Sequence, residues 1–183
     1  MRTFLPLVII VAICVCAGSG SKAQLLSAPE IGTQVVHIDQ VQAVTAGILN
    51  SEMQRISNEG INIVRVEQVG NRNNTHILHE GALNEAIVSQ GSVIADCVGC
   101  IVDVVQFGVG NVVRFVQDGE QNENSAIQEG DLNTAHGLQD GSQNVLRFEQ
   151  IDSGNFAAVR QLGDGHRLLV LQPGNGFISI TQE

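Results

Sequence analysis

From residue 62 onward, apolar and polar side chains alternate in seven-residue segments that are separated by short polar turns. In the segment that begins at Asn111, one face carries Asn111, Val113, Phe115 and Gln117, whereas Arg114 lies on the other face. Because successive side chains of a β-strand point to opposite faces, this period of two predicts a strand with one buried face. Eleven segments fit the pattern, and they begin at residues 62, 73, 84, 100, 111, 122, 133, 144, 155, 166 and 177.

A fixed order of residues accompanies the strands: a glutamine ends a segment, a glycine follows two positions later, and an asparagine begins the next segment. The glutamines are Gln68, Gln90, Gln106, Gln117, Gln128, Gln139, Gln150, Gln161 and Gln172. The turn glycines are Gly70, Gly81, Gly108, Gly119, Gly130, Gly141, Gly163 and Gly174. The asparagines are Asn62, Asn73, Asn84, Asn111, Asn122, Asn133, Asn144 and Asn155. A short fixed period of this kind is typical of a solenoid.

Four positions depart from the repeat, and one interval is too long. The departures are His79, Cys100, Asp152 and His166. The step from Gln90 to Gln106 is sixteen residues instead of eleven, which predicts an inserted loop at 91–99. The register of the last segment stays open, because its glutamine comes ten residues after the preceding one.

One segment and its turn cannot be stable alone, because an isolated hairpin is only marginally stable in water. We therefore predict that two consecutive segments form one strand-turn-strand rung and that rungs stack into two facing parallel sheets. The predicted fold is an all-β, amyloid-like cross-β solenoid. The inward residues support it, since the large Leu146 and Phe148 share a rung with the small Ala135 and Gly137.

The repeated amides have a predicted role inside this stack. Identical amides that repeat at about 4.8 Å along a sheet can hydrogen-bond from rung to rung, which satisfies polar groups that are costly to bury. The glutamines of the longest unbroken stretch fall into two predicted ladders, Gln117, Gln139 and Gln161 in one and Gln128, Gln150 and Gln172 in the other. The asparagines are expected to form corresponding ladders.

The N-terminus has the pattern of a secretory signal peptide. Arg2 precedes an apolar run from Phe4 to Cys16, and small residues lead to Ala23. This pattern predicts a leader at 1–23 with cleavage after Ala23.

The part of the chain between the leader and the repeats has no clean periodicity. Residues 24–60 are predicted to be a secretion segment or an N-terminal cap, and the apolar residues at 41–49 permit a short amphipathic helix. The repeat solenoid is predicted to occupy 61–183.

Outside the leader the only cysteines are Cys97 and Cys100. One CxxC pair is no disulfide scaffold, and a zinc ribbon needs a second pair. The pair predicts a local disulfide in a loop, and a thioredoxin-like redox motif is the alternative, although no βαβ context accompanies it. Because the pair lies where the period is interrupted, we expect that replacing both cysteines with serine leaves the fold and assembly intact.

Charge and spacing argue against several kinds of site. With a formal net charge of −10, the chain lacks the basic surface that nucleic acids require, so no nucleic-acid partner is expected. His76 and His79 should point to opposite faces of a strand and therefore not share a metal ion. Asp118 and Asp140 are predicted to stack as solvated turn carboxylates and not to bind calcium. We predict no catalytic residue, no cofactor and no metal.

The S/N-x5-Q-x-G-x2-N repeats behind a secretory signal resemble curlin, the subunit family of curli amyloid fibres. The segments from Asn111 to Gln150 carry the resemblance most clearly, and it covers about 62–183. It implies a secreted structural subunit that adds end to end into an extracellular fibre of the biofilm matrix, as either a major or a nucleating minor subunit. The implied partners are further copies of itself, a related curlin subunit and the outer-membrane secretion pore of a Gram-negative cell. The chain departs from the family pattern in having no tyrosine and a cysteine-bearing loop.

Two other classes of function compete with a fibre subunit. One is a monomeric β-solenoid that serves as an adhesin or surface-binding module. The other is an enzyme on a parallel β-helix, which would need a cluster of carboxylates or bases that the outward positions lack. Capping separates fibre from monomer, because a monomeric solenoid needs polar caps at its ends.

Overall fold

The computed structural model describes residues 22–26, 33–39, 62–92 and 96–183. Within these ranges the chain is all β, without a helix, and parallel sheets stack through about 5 turns, as predicted for a β-solenoid. Sheet A contains, in spatial order, β1 (Lys22–Leu26), β2 (Thr33–Asp39), β5 (Asn74–Ala82), β8 (Ile101–Val109), β10 (Glu123–Glu129), β12 (Val145–Ile151) and β14 (Arg167–Pro173). Sheet B contains β3 (Ile63–Gln68), β6 (Glu85–Gln90), β9 (Val112–Glu120), β11 (Thr134–Ser142), β13 (Phe156–Leu162) and β15 (Phe177–Gln182), and two short strands, β4 (Gly70–Asn71) and β7 (Cys97–Val98), extend its edge.

Consecutive repeat strands alternate between the two sheets, so each rung takes one strand from each. Equivalent residues of successive rungs lie directly opposite one another, for example Gln117 opposite Gln139 in sheet B and Gln128 opposite Gln150 in sheet A. The eleven predicted segments all form strands in this order. A slip of one residue would turn every buried side chain outward, so the buried face fixes the register.

The core is a narrow layer between the sheets. Phe115 and Phe148 are buried, and their rings stack with centroids 5.9 Å apart. Gly137 gives them room, because a Cβ atom there would lie 2.8 Å from the Phe115 ring and 2.9 Å from Leu146. The predicted pairing of large residues with small ones is confirmed.

The insertion is shorter than the predicted loop at 91–99. Cys97 lies opposite Gly119 in the register of sheet B, and the Gly91 N–H donates to the Gln117 carbonyl at 2.7 Å. The regular stacking is therefore kept up to Gly91 and resumes at Cys97, so the five extra residues of the sequence fall between these two positions. No strand in the described part of the chain is displaced by them.

The last strand is in register after a turn that is one residue shorter than the others. The Gly176 N–H donates to Asn155 Oδ1 at 3.0 Å, so Gly176 occupies the position that asparagine holds elsewhere. Gln182 lies opposite Gln161. The prediction that the segment begins at residue 177 is wrong by one residue, and Phe177 faces outward.

The segment before the repeats contributes two strands to sheet A. β1 pairs antiparallel with β2, and β2 pairs antiparallel with β5. Most of the predicted leader, at 1–21, and the predicted helix within 41–49 lie outside the described residues.

Candidate functional site: amide ladders and open strand edges

Two columns of glutamine amides run through the buried interior, one in each sheet. In sheet B, Nε2 of Gln117 donates to Oε1 of Gln139 at 3.0 Å, and Gln139 donates to Gln161 at 2.9 Å. In sheet A, Gln128 donates to Gln150 at 2.7 Å. The same bond joins Gln68 to Gln90, Gln90 to Gln117, Gln161 to Gln182, Gln106 to Gln128 and Gln150 to Gln172. Every glutamine predicted for a ladder is buried, and Gln182 extends the series beyond the prediction.

The glutamines also tie the two sheets together. Nε2 of Gln139 donates across the core to the Glu123 carbonyl at 3.1 Å, and Nε2 of Gln128 donates to the Val112 carbonyl at 3.1 Å. Equivalent bonds run from Gln90 to Asn74, Gln106 to Glu85, Gln117 to Ile101, Gln150 to Thr134, Gln161 to Val145 and Gln172 to Phe156. One amide group therefore holds the rung spacing and the sheet spacing together. The sequence pattern contains no signal for this second bond, because it depends on the distance between the sheets.

The ladders are polar along the solenoid axis. Each glutamine donates from Nε2 to the glutamine that lies one rung closer to the C-terminal end. The series in sheet B ends at Gln182, whose oxygen accepts from Gln161 at 2.8 Å. In both series the amide nitrogens are therefore directed towards the C-terminal end and the amide oxygens towards the N-terminal end, and in sheet A the series begins at Gln106, next to His79.

The asparagines bind mainly backbone groups, which corrects the predicted amide-to-amide ladder, although Nδ2 of Asn155 does donate to Oδ1 of Asn133 at 3.1 Å. Asn111 Oδ1 accepts from the backbone N–H of Asn133 at 3.0 Å, and Asn111 Nδ2 donates to the Gly130 carbonyl in the next turn at 2.8 Å. Asn122 repeats both bonds with Asn144 and Gly141. The asparagine side chain is one methylene shorter than glutamine, and here it meets the turn backbone. Equivalent bonds involve Asn62, Asn73, Asn84, Asn133, Asn144 and Asn155.

The turn glycines are required by stacking as well as by conformation. Gly119 has φ of 104°, and a Cβ atom there would collide with the Gly141 carbonyl of the next rung. The same collision with a backbone carbonyl applies at Gly70, Gly81, Gly108, Gly130 and Gly141. Gly163 and Gly174 meet no such carbonyl, since no turn of the described residues is stacked on them.

From Asn73 onward, the residue before each ladder asparagine adopts a left-handed backbone conformation, which the repeat pattern did not predict. The non-glycine examples, with φ between 55° and 61°, are Arg72, Leu83, Gln121, Leu132 and Gln143. The sequence carries a partial signal, since Gly99, Gly110, Gly154 and Gly165 occupy equivalent positions. L-residues adopt this conformation at a cost, so the register of the ladders imposes it.

His79 interrupts the ladder of sheet A. Its ring is fully buried opposite Gln106, which confirms that it replaces a ladder glutamine. Within the described residues, neither ring nitrogen of His79 nor the Oε1 atom of Gln106 has a hydrogen-bond partner. Burial lowers the pKa of His79 to about 3, because desolvation penalises the charged ring.

Asn124 is a second buried polar group without a hydrogen bond in the described part of the chain. It points into the core, in register between Val102 and Leu146. An unsatisfied buried amide costs roughly 1–3 kcal/mol, so this residue opposes the stability of the rung that contains it.

Charged groups lie on the turns and outer faces, but Asp118 is not the solvated turn carboxylate that was predicted, because its Oδ1 atom is buried without a hydrogen-bond partner among the described residues. Asp118 lies opposite Asp140, and partial burial together with the Asp140 charge raises the pKa of Asp118. His76 lies 3.1 Å from Asp103, measured between Nδ1 and Oδ1, on the face opposite His79. No group of three or more potential metal ligands occurs among the residues that the structure describes.

The two cysteines form a disulfide with a Cα–Cα distance of 6.0 Å, as predicted. Both residues are fully buried. Cys97 pairs within sheet B, and the Cys100 N–H donates to Asn73 Oδ1 at 3.1 Å, in the manner of a ladder asparagine. The description of the pair as part of a loop is therefore wrong, because both ends of the disulfide lie in the stacked lattice.

The C-terminal end presents two strand edges that have no partner within the described ranges. β14 pairs only with β12, and β15 pairs only with β13. Leu168, Ile178 and Ile180 at this end are only partly buried, whereas their counterparts one rung back, such as Leu146 and Ala157, are fully buried. Among the described residues, the last rung thus lacks the cover that every interior rung has.

The outer face of sheet B carries a surface groove. A shallow space of about 290 Å³ is lined by Arg114, His136, Ala158 and Arg160 among others. Arg114 is paired with Glu85 at 3.2 Å.

Comparisons of the chain with protein-family models, with curated proteins and with solved structures found no match. The described residues include no helix of the length and apolarity needed to cross a membrane.

Proposed function

We propose that this chain is a secreted structural subunit that self-assembles end to end into extracellular, curli-like amyloid fibres. The proposed role of such fibres is adhesion and surface colonisation in a biofilm matrix, with this chain as a major or a nucleating minor subunit. Its proposed partners are copies of itself, a related curlin subunit and an outer-membrane secretion pore. The proposal includes no catalytic role and no cofactor.

The observation that carries the proposal is the open C-terminal end. β14 and β15 have free edges in the part of the chain that is described, and the apolar residues behind those edges are incompletely buried. Exposed strand edges are templates for pairing with another chain, and monomeric proteins ordinarily block them. The edge strand β15 carries no charged residue between Phe177 and Gln182. It therefore lacks the charged side chains that commonly prevent a further strand from pairing with an edge.

The ladders favour addition in one direction. In sheet B the amide nitrogens are directed towards the C-terminal end and the amide oxygens towards the N-terminal end, so a second copy continues this ladder only when it stacks head to tail. Such heterologous contacts produce open filaments when they do not close into a ring.

A proline at the free edge tests the proposal directly. The Phe156 N–H, on an outward-facing residue, donates to Gly176 towards the C-terminal end. By alternation along the parallel strand, the N–H of Ser179 in β15 points to the free edge. Ser179→Pro should therefore leave the monomer folded, because no internal bond is lost, and should stop growth on fibre seeds. Ser179→Ala is the matched control and should grow at the wild-type rate.

The measurements are thioflavin fluorescence, electron microscopy and circular dichroism on the predicted mature chain, residues 24–183. Fibres with a spacing of about 4.8 Å along their axis are expected. A chain that stays monomeric at high concentration, or a proline variant that grows as fast as the alanine control, would contradict the proposed function.

The alternative function, a monomeric β-solenoid adhesin or surface-binding module, is favoured by one observation. At the N-terminal end, β2 covers the edge of β5 with an antiparallel strand, which resembles the cap that a monomeric solenoid needs. The groove beside Arg114 and Arg160 would then be its binding surface. Sedimentation at increasing concentration separates the alternatives, since only the fibre subunit should show seed-dependent assembly.

A further inference from the structure

The two ends of the solenoid differ in their numbers of strands. At the C-terminal end, sheet B extends one strand further than sheet A, because β15 adjoins β13 whereas no described strand adjoins the outer edge of β14. At the N-terminal end the first rung consists of β3 and β5, and sheet A continues outward through β2 and β1. Among the described strands, the C-terminal end therefore lacks a strand in sheet A, whereas the N-terminal end has two additional strands in the same sheet.

Head-to-tail stacking of two copies accounts for all of these strands except one. When β15 of one copy pairs with β3 of the next, sheet B is continuous, and sheet A has a gap of one strand between β14 and the next copy's β5. β2 already adjoins β5 and fills that gap. β1 then has no place, because it pairs with the edge of β2 that must contact β14.

We propose that β1 is a removable cover on the edge of β2 that receives β14 of another copy, so that release of β1 accompanies each addition. This inference rests on the proposed fibre function. It assigns β2 a place in the fibre interface and assigns β1 a role in delaying assembly. Cleavage of the predicted leader after Ala23 removes Lys22 and Ala23 from β1 and leaves three of its five residues. The full-length chain is therefore expected to be covered more firmly than the mature one.

A reversible lock on β1 tests the proposal in the mature chain. Leu25 lies opposite Val36 in the antiparallel pair, and aligned strand residues lie within the Cα separation that a disulfide spans. In the variant Leu25→Cys/Val36→Cys, oxidation should slow seeded elongation at least tenfold, and reduction should restore it. The wild-type chain with and without reductant is the control, because reductant also opens the native disulfide. Equal elongation rates for the oxidised and reduced variant, with the new bond verified by mass spectrometry, would overturn the proposal.

Cross-linking between copies provides a second, independent test. The register of β2 places His37 in the column of His76, which continues to Leu169 in β14. A mixture of His37→Cys chains and Leu169→Cys chains should therefore form mixed disulfides in fibres, whereas each variant alone should not. Extension of the sheet B register likewise places Ser179 opposite Arg65 of the next copy, so Ser179→Cys and Arg65→Cys chains test the head-to-tail contact itself.

The two cross-links separate the inference from the function on which it rests. Fibres that show the Ser179–Arg65 bond but no His37–Leu169 bond would retain the head-to-tail fibre and overturn the role of β2 and β1. A chain that forms no fibres at all would instead overturn the proposed function, and the inference with it. Both bonds together are the expected result.

Discussion

Replacing Gln139 with leucine removes one amide from the middle of the sheet B ladder while keeping a side chain of similar size. The change leaves a Gln117 N–H and the Gln161 Oε1 atom without the partners that they have at 3.0 Å and 2.9 Å. Both of these groups are fully buried. Each orphaned group costs roughly 1–3 kcal/mol, so we expect a loss of about 2–6 kcal/mol in the free energy of unfolding. A loss of this size is a large part of the roughly 5–15 kcal/mol that stabilises an ordinary domain.

The matched control is Gln143→Leu, the same substitution four residues further along. Gln143 is exposed, and in the described structure its side chain donates only to exposed Gln121, at 3.3 Å. Its left-handed backbone is the one that Leu83 and Leu132 adopt at equivalent positions, so leucine introduces no new strain. We expect a change within about 0.5 kcal/mol.

Urea unfolding of freshly isolated monomer, followed by circular dichroism, measures both variants, and the shift in midpoint multiplied by the slope gives the free-energy change. Equal midpoints for the two variants would refute the reasoning, because the interior amides would then carry no more stability than surface amides. A fall in the slope without a shift in midpoint would point to a change in the unfolded state.

Four further predictions follow from the same lattice. His79→Gln should stabilise the monomer by about 1–3 kcal/mol, because it supplies the missing donor of the sheet A ladder. In the unfolded state His79 takes up a proton near pH 6.5, whereas the buried ring does so only near pH 3. The stability of the wild-type chain should therefore fall as the pH drops between these values, by up to about 1.4 kcal/mol per pH unit. If the urea midpoint changes between pH 7 and pH 4 by the same amount in the wild type and in His79→Gln, this expectation is contradicted. Asn124→Val should raise the urea midpoint by removing an unsatisfied amide, and a lower midpoint would reveal a partner for it. Gly119→Ala should destabilise far more than Gly163→Ala, since both glycines have φ near 100° but only the first faces a carbonyl of the next rung; similar midpoints would exclude the collision. Reducing the disulfide should cost about 2 kcal/mol, because it closes only a short loop, and should leave seeded fibre growth possible, so complete loss of fibres would contradict the expectation.

The sequence by itself determined the strands, their alternation between two sheets and the inward position of the glutamines. These features follow from local rules: a period of two defines a face, and an eleven-residue period aligns each face with that of the next rung. The buried face then leaves only one register. Even the exchange of glutamine for histidine at His79 could be located in this way. The absence of a hydrogen bond at that position could not, because it depends on how far a planar ring reaches within a fixed rung spacing.

The tertiary structure decided what depends on distances between elements that are remote in sequence. The second glutamine bond to the facing sheet, the binding of asparagine to turn carbonyls and the left-handed residue before each asparagine all require the sheet separation and the turn path. The Cys97–Cys100 pair was predicted as a loop feature because five extra residues obscured the period, whereas the stacked lattice resumes at Cys97. β2 was not predicted as a strand of sheet A. Its antiparallel pairing with β5 is a long-range contact, and β2 lies outside the repeats, so the sequence period does not predict this pairing. The ends of the solenoid, where assembly is proposed, are thus the part that periodicity cannot specify, since a repeat defines the contacts between neighbouring rungs and not what covers the first and the last.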